Sequence, residues 1–172
     1  METISIIKAG MADLDELQQI SRQTFTETFA ESNHAADMEA YVANSFSQEK
    51  IAGELSNEQA EFYFAMLGDA VSGYLKINFG AAQTELQSSH AMEIERIYVL
   101  QQYQGKQAGQ LLYKKALQRA TEAGVDYIWL GVWEQNEKAI GFYRKNGFVA
   151  FDKHIFQLGS DAQTDIMMKR VL

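Results

Sequence analysis

The sequence predicts a mixed α/β (α+β) domain: a central, mostly antiparallel sheet with one parallel strand pair, flanked by helices. Three observations point to it. Strand and helix periodicities alternate along all 172 residues with no Pro-, Gly- or Ser-rich linker. One strand–helix–strand run (92–99, 106–123, 127–133) has the form of a right-handed crossover, which joins parallel strands. The remaining strands follow one another through short turns, as in a meander. A chain of this length is ordinarily one domain, so residues 1–172 are read as a single unit.

The elements follow in order. Residues 3–8 read as a first strand. From Asp13, Leu14, Leu17, Ile20, Phe25 and Phe29 keep helical spacing, which predicts an amphipathic helix over 13–31. Residues 35–45 and 48–56 form two shorter helices, the second with Ser47 as N-cap. Residues 61–67 and 70–79 form a hairpin about Gly68-Asp69. The polar stretch 80–90 is a loop. The strand 92–99 leads to the helix 106–123, which ends at Gly124. Residues 127–133 are an almost unbroken apolar run, as in a strand buried on both faces. Asn136 caps a short helix over 137–146. Strands 148–157 and 163–171 close the chain through Gly159-Ser160-Asp161.

Composition narrows the chemistry. The chain has no cysteine, which excludes disulfides, thiolate-bound metals and a thiol nucleophile. His34, His90 and His154 are scattered and show no paired spacing, so no metal is expected. Proline is also absent, leaving turns to Gly, Asn, Asp and Ser. No apolar run is long enough to span a membrane, and the first residues lack a basic and apolar leader pattern; a cytoplasmic protein is the simplest reading. Charge is uneven. Residues 1–95 carry 4 Lys/Arg against 16 Asp/Glu, and residues 96–172 carry 11 against 7, so the halves stand at −12 and +4. The basic excess is too small for a phosphate-binding stripe on nucleic acid.

The turn from strand 92–99 to the next helix reads Leu100-Gln-Gln-Tyr-Gln104-Gly105-Lys106-Gln107-Ala108-Gly109-Gln110. A glycine-containing strand-to-helix turn offers backbone N–H groups at a helix N-terminus, where phosphate can sit. It is neither a Walker loop nor G-x-G-x-x-G, and a plain helix start would look similar. The segment resembles the Q/R-x-x-G-x-G/A motif of the GNAT acyltransferases, with Gln104 first and Gly109 last. Gln107 stands where the motif has its middle glycine. Placed inside the helix, Gln107 would cost little backbone strain. A second block, Asn136-Glu-Lys-Ala139-Ile-Gly-Phe-Tyr143-Arg-Lys-Asn-Gly147-Phe148, is similar to the family's N-x-x-A-x-x-F-Y-x-x-x-G-F. Residues 92–99, 129–136 and 163–167 look closest to the PaiA-type spermidine/spermine N-acetyltransferases.

The resemblance implies the GNAT acyl-CoA N-acyltransferase fold, with acetyl-CoA in a cleft where the two central parallel strands splay apart. Ile97, Tyr98 and Val99 would face the pantetheine arm. Gln104, Gly105, Lys106, Gln107, Ala108, Gly109 and Gln110 would hold the pyrophosphate. Asn136, Ala139 and Tyr143 would meet the far side of the cofactor. It further implies direct attack of an amine on the thioester, with Tyr143 as general acid, Glu95 as general base and Glu93 in reserve. Glu27, Glu31 and Asp37, on the acceptor side of such a fold, would bind the distal ammonium groups of a polyamine. The expected partner is a small polyamine rather than a nucleic acid or membrane, and a homodimer is open. Two alternatives stand beside this: acetylation of another amine (an amino acid, a drug or a protein N-terminus), and a non-catalytic acyl-CoA-binding sensor.

Overall fold

The computed structural model describes residues 2–172. Seven strands form one sheet: β1 (Ile4–Ala9), β2 (Ala60–Leu67), β3 (Ala70–Phe79), β4 (Ala91–Val99), β5 (Tyr127–Trp133), β6 (Val149–Leu158) and β7 (Asp161–Val171). Their order across the sheet is β1-β2-β3-β4-β5-β7-β6. Every neighbouring pair is antiparallel except β4 with β5. The single parallel crossover is as the sequence predicts, and β2, β3 and β4 run as a meander, but beyond β5 the order departs from one, with β7 rather than β6 beside β5.

Alternation along the strands divides the core between the two faces. On β2, Tyr63 and Ala65 pack with α4 (Ala108–Ala123) and α5 (Glu137–Lys145), where Leu112, Tyr113 and Ala116 are buried. Phe62 and Phe64 point the other way, against α1 (Leu14–Phe29), α2 (Ala35–Ser45) and α3 (Gln48–Ser56), whose Leu17, Met38 and Ile51 are buried. A one-residue slip of β2 would exchange both faces, so the register is strongly specified. Ser47 Oγ caps α3 by accepting the Lys50 N–H at 3.2 Å. Asn136 Oδ1 caps α5 by accepting the Ala139 N–H at 3.2 Å. Gly124 ends α4 with a left-handed φ of 71°.

Most boundaries shift by a residue or two from expectation, and the differences in the first helix, the last hairpin and the start of α4 are informative. The first helix is shorter than 13–31, because its ends tighten into 3₁₀ turns at Met11–Asp13 and Ala30–Ser32. The last hairpin turns on Gly159 and Ser160 alone, with Asp161 already in β7. The third difference bears on function. The helix expected from Lys106 begins at Ala108, and Gln107 precedes it with φ 71° and ψ 9°. Gln107 is the only non-glycine residue at positive φ among the described residues. The expectation that it costs little strain is therefore overturned. The position needs a glycine-like backbone and carries a side chain instead.

Candidate active site

The parallel pairing of β4 and β5 is brief. It joins Ala91, Met92 and Glu93 to Tyr127, Ile128 and Trp129, and goes no further. Beyond Glu93, β4 keeps its pairing with β3, while β5 keeps its pairing with β7. The two central strands part, and a cavity of about 950 Å³ opens between them. Ile97, Tyr98 and Val99 line it from β4, and Val132 and Trp133 from β5. An unpaired strand edge offers backbone N–H and C=O groups to an extended amide-bearing ligand.

One end of the cavity is built from backbone. Gln104, Gly105, Gln107, Ala108, Gly109 and Gln110 all line it. The first α-helical hydrogen bond of α4 runs from the Leu111 N–H to the Gln107 carbonyl at 3.0 Å. The N–H groups of Ala108, Gly109 and Gln110 therefore lie in the unpaired first turn, at the positive end of the helix dipole. A Cβ on Gly109 would meet only Val99 Cγ2, at 3.9 Å, so the glycine leaves room above the helix rather than serving internal packing. Lys138 and Lys145 also line this end, and Lys138 Nζ donates to Gln104 Oε1 at 2.7 Å. Unpaired N–H groups, a helix N-terminus and two lysines suit a polyanion such as a pyrophosphate. Lys106 does not join them. It is exposed and borders a separate hollow with Glu2, Ile4 and Leu67.

α5 contributes Asn136, Ala139 and Tyr143 to the cavity wall. The Tyr143 ring packs against Phe142 and Phe148, and its hydroxyl has no hydrogen-bond partner among the described residues. Burial pushes the phenol well above its ordinary value, so it keeps its proton through the neutral range.

The other end is built from side chains. Glu95 lines the cavity, but its carboxylate is already engaged. Oε1 accepts from Lys76 Nζ at 2.7 Å and from Asn78 Nδ2 at 2.8 Å, and Oε2 lies 3.0 Å from Arg96. Glu54 of α3 binds the same Arg96 through both oxygens at 2.9 Å and lies 3.4 Å from Lys76. Burial raises the affinity of Glu95 for a proton, but Arg96 and Lys76 outweigh burial and hold it below the usual carboxylate range. The carboxylate expected as a general base is thus engaged by cations and an amide on both of its oxygens. Glu93 is bound by neutral donors: Asn78 Nδ2 at 3.0 Å, the Thr84 N–H at 2.8 Å and Thr84 Oγ1 at 2.6 Å. Burial dominates there and raises its pKa.

Glu27, Glu31 and Asp37 do not reach the cavity. Glu27 accepts the Gln101 N–H at 3.1 Å, Asp37 accepts Ser160 Oγ at 2.8 Å, and Glu31 is exposed on a 3₁₀ turn. Glu27 and Asp37 fasten turns instead. Besides Glu93 and the ion-paired Glu54 and Glu95, the acids that line the cavity are Glu85 and Asp165, with His154 between them. Aromatic residues Phe25, Phe29, Tyr41 and Trp133 line this end as well. In the sequence they are indistinguishable from core positions.

Comparison with known proteins agrees with this geometry. Residues 14–148 match the model of the Acetyltransferase (GNAT) family. The chain is 37% identical over 172 residues to an uncharacterized N-acetyltransferase of Lactobacillus delbrueckii subsp. lactis, covering 100% of this chain and 99% of the relative. It is 26% identical over 154 residues to a spermidine N(1)-acetyltransferase of Thermoplasma acidophilum, covering 87% and 91%. The crystal structure of PaiA N-acetyltransferase from Thermoplasma acidophilum in complex with coenzyme A superimposes with a TM-score of 0.81 at 25% identity, over 99% of both chains. A splayed parallel pair, a helix N-terminus left open at its mouth and a family match across most of the sequence lead to one conclusion: the chain belongs to the GNAT family of acetyltransferases.

Proposed function

We propose that the protein transfers the acetyl group of acetyl-CoA to a primary amine, with polyamines such as spermidine and spermine as preferred acceptors. The observation that carries this reading is the cavity's two unlike ends. A backbone-built end with Lys138 and Lys145 suits the anionic donor, and the other end, where Arg96 is matched by Glu54 and Glu95, and where Glu85, Glu93 and Asp165 outnumber Lys50, suits a cationic acceptor. Ile97, Tyr98 and Val99 would align the pantetheine arm along the free edge of β4, and the first turn of α4 would hold the pyrophosphate. The amine attacks the thioester directly, a C–N bond forms, and the C–S bond breaks. Tyr143 hands its retained phenolic proton to the departing thiolate.

Distal ammonium groups paired with partly exposed carboxylates contribute about 1 kcal/mol or less each. The preference for polyamines should therefore be graded, at most about fivefold per added charge and mainly through KM. The test is kcat/KM for spermine, spermidine and a monoamine at low and high salt. Polyamines should lead, and their lead should shrink with salt, because exposed pairs are screened over about 10 Å at 0.1 M. Equal values at both salts would remove the polyamine preference and leave acetylation of another amine. Absence of turnover with every amine, alongside tight coenzyme A binding, would favour an acyl-CoA sensor.

A further inference from the structure

The acceptor end holds a group of charges that the ion pairs of β3 and β4 do not absorb. β6 and β7 place His154 directly opposite Asp165, with Nε2 3.4 Å from Asp165 Oδ2. On the other side, Nδ1 lies 3.3 Å from Glu85 Oε1, in the loop before β4. That contact is not aligned as a hydrogen bond. Nδ1 is buried and lacks a hydrogen-bond partner among the described residues. Buried polar atoms without partners call for an explanation, and a working site is one.

The surrounding elements hold this group in place. Thr84, next to Glu85, is pinned to Glu93, and Trp129 Nε1 donates to Gln83 Oε1 at 2.8 Å. β5 supplies space. An added Cβ on Gly131 would stand 3.3 Å from His154 Cε1 and 3.5 Å from Asp165 Oδ2, so glycine leaves the imidazole its room. The β5 residues alternating with the buried face, Trp129, Gly131 and Trp133, bring no charge to it. Glu85, Gly131, His154 and Asp165 all line the cavity that Tyr143 lines. Two carboxylates thus flank one imidazole. Lys76 and Arg96 nearby are matched by Glu54 and Glu95. An arriving ammonium would complete the charge of this cluster.

We propose that His154 takes the proton from the acceptor amine, with Glu85 and Asp165 as positioning residues that hold the ring and draw the ammonium beside it. This rests on the amine acetyltransferase reading above. A primary amine with a pKa near 10.4 is neutral only about once in 10³ molecules at pH 7, so a proton acceptor is needed. Imidazole is the side-chain class that exchanges protons near neutrality. The nitrogen sheds two protons during the reaction. The first passes to His154 and on to water before attack. The second leaves the nitrogen after the C–N bond has formed and restores the Tyr143 phenol, whose own proton has gone to the coenzyme A sulfur. The products are the amide, the free thiol and one proton in solution.

The experiment follows kcat/KM from pH 7 to 10 with spermidine and with a monoamine, in wild type, His154→Asn and His154→Gln. Both variants should lose about 10²-fold at pH 7. The loss should close toward pH 10, where solvent deprotonates the amine. Thermal stability and coenzyme A affinity should be unchanged, and Glu85→Gln should mainly raise KM. A loss constant across pH in both variants would show a binding or structural role and overturn the proposal, as would no loss at all. In either case wild-type turnover leaves the acetyltransferase reading standing. Failure of the wild type to acetylate any amine overturns both.

Discussion

The two ends of the cavity are built on different principles. The donor end uses backbone: the free edge of β4, the turn after it and the first turn of α4. The acceptor end uses side chains delivered by separate elements: Glu54 from α3, Glu95 and Arg96 from β4, His154 from β6 and Asp165 from β7, with Lys76 of β3 behind them as a partner of Glu54 and Glu95. The first kind of site would tolerate change in most side chains, because main-chain groups would make the contacts. The second depends on each side chain and on each partner. An acetyl donor common to a family and an acceptor particular to each member fit this division, since function resides in sites placed on a shared fold.

The sharpest way to break the comparison is at Glu95. As a counterion to Lys76 and Arg96, it supports the fold. Glu95→Gln would leave those cations undercompensated, and breaking a buried pair costs about 3–5 kcal/mol. Urea unfolding should show a loss of about 3 kcal/mol, and turnover should fall by the same factor at pH 7 and pH 10. The pKa of Glu95 is lowered in the folded protein. Its stabilisation is therefore present above its ordinary value of about 4.3 and lost as pH falls through the lower folded value. The variant should flatten that part of the acid limb. Unchanged stability, with a turnover loss confined to neutral pH, would return the role of proton acceptor to Glu95.

Next in size is Tyr143→Phe. Only the hydroxyl goes, and the ring keeps its packing on Phe142 and Phe148. Turnover should fall about 10²-fold with little change in acetyl-CoA affinity. Wild-type turnover in the variant would mean that water protonates the thiolate. Because Tyr143 lies in a block that resembles the family's motifs and His154 lies outside those blocks, the pair also separates what the two ends contribute.

This contrast explains how far the sequence could be read. The elements and the crossover were legible because period and turn chemistry are local, whereas the insertion of β7 between β5 and β6 is set by long-range pairing. Gln104, Gly109, Asn136 and Tyr143, which line the cavity, could be singled out because they fall in two short contiguous blocks. The acceptor end was not legible. Glu27, Glu31 and Asp37 were placed by element, and an element's position does not say which way one carboxylate turns. His154 and Asp165 were missed through register. A three-residue turn over 159–161, as expected, sets His154 opposite Ile166, whereas the observed two-residue turn sets it opposite Asp165. One residue of slip hid the pair. The ion cluster of Glu54, Lys76, Glu95 and Arg96 spans three elements and has no sequence signature at all.

A smaller effect is expected at Gly109. Its missing Cβ has no neighbour closer than Val99 Cγ2 at 3.9 Å, so Gly109→Ala should leave thermal stability unchanged or slightly raised. The added methyl would occupy space above the first turn, and crowding of that kind costs about 1–3 kcal/mol. Coenzyme A affinity should weaken about tenfold by calorimetry, and the KM for the amine should hold. An unchanged coenzyme A affinity would mean that the pyrophosphate does not approach this turn.

The smallest effect concerns Gln107, where the donor end departs from its own backbone logic. Its φ of 71° is left-handed, and its side chain makes no capping bond to repay the strain. A non-glycine residue in this region costs about 1–2 kcal/mol, and glycine gives back part of that through its greater freedom in the unfolded chain. Gln107→Gly should therefore stabilise the protein by about 0.5–1 kcal/mol, which for a chain of this size is a rise of about 2–4 °C in Tm at most. Gln107→Ala keeps the strain and removes the side chain, so it should give no such rise. The pair of variants separates backbone from bulk. If both tighten coenzyme A equally, the glutamine side chain crowds the pyrophosphate. If only the glycine variant tightens it, the left-handed turn itself is what holds the N–H groups out of place. A lower Tm for the glycine variant would mean that the Gln107 side chain carries a stabilising contact, and the donor end would then depend on a side chain as the acceptor end does.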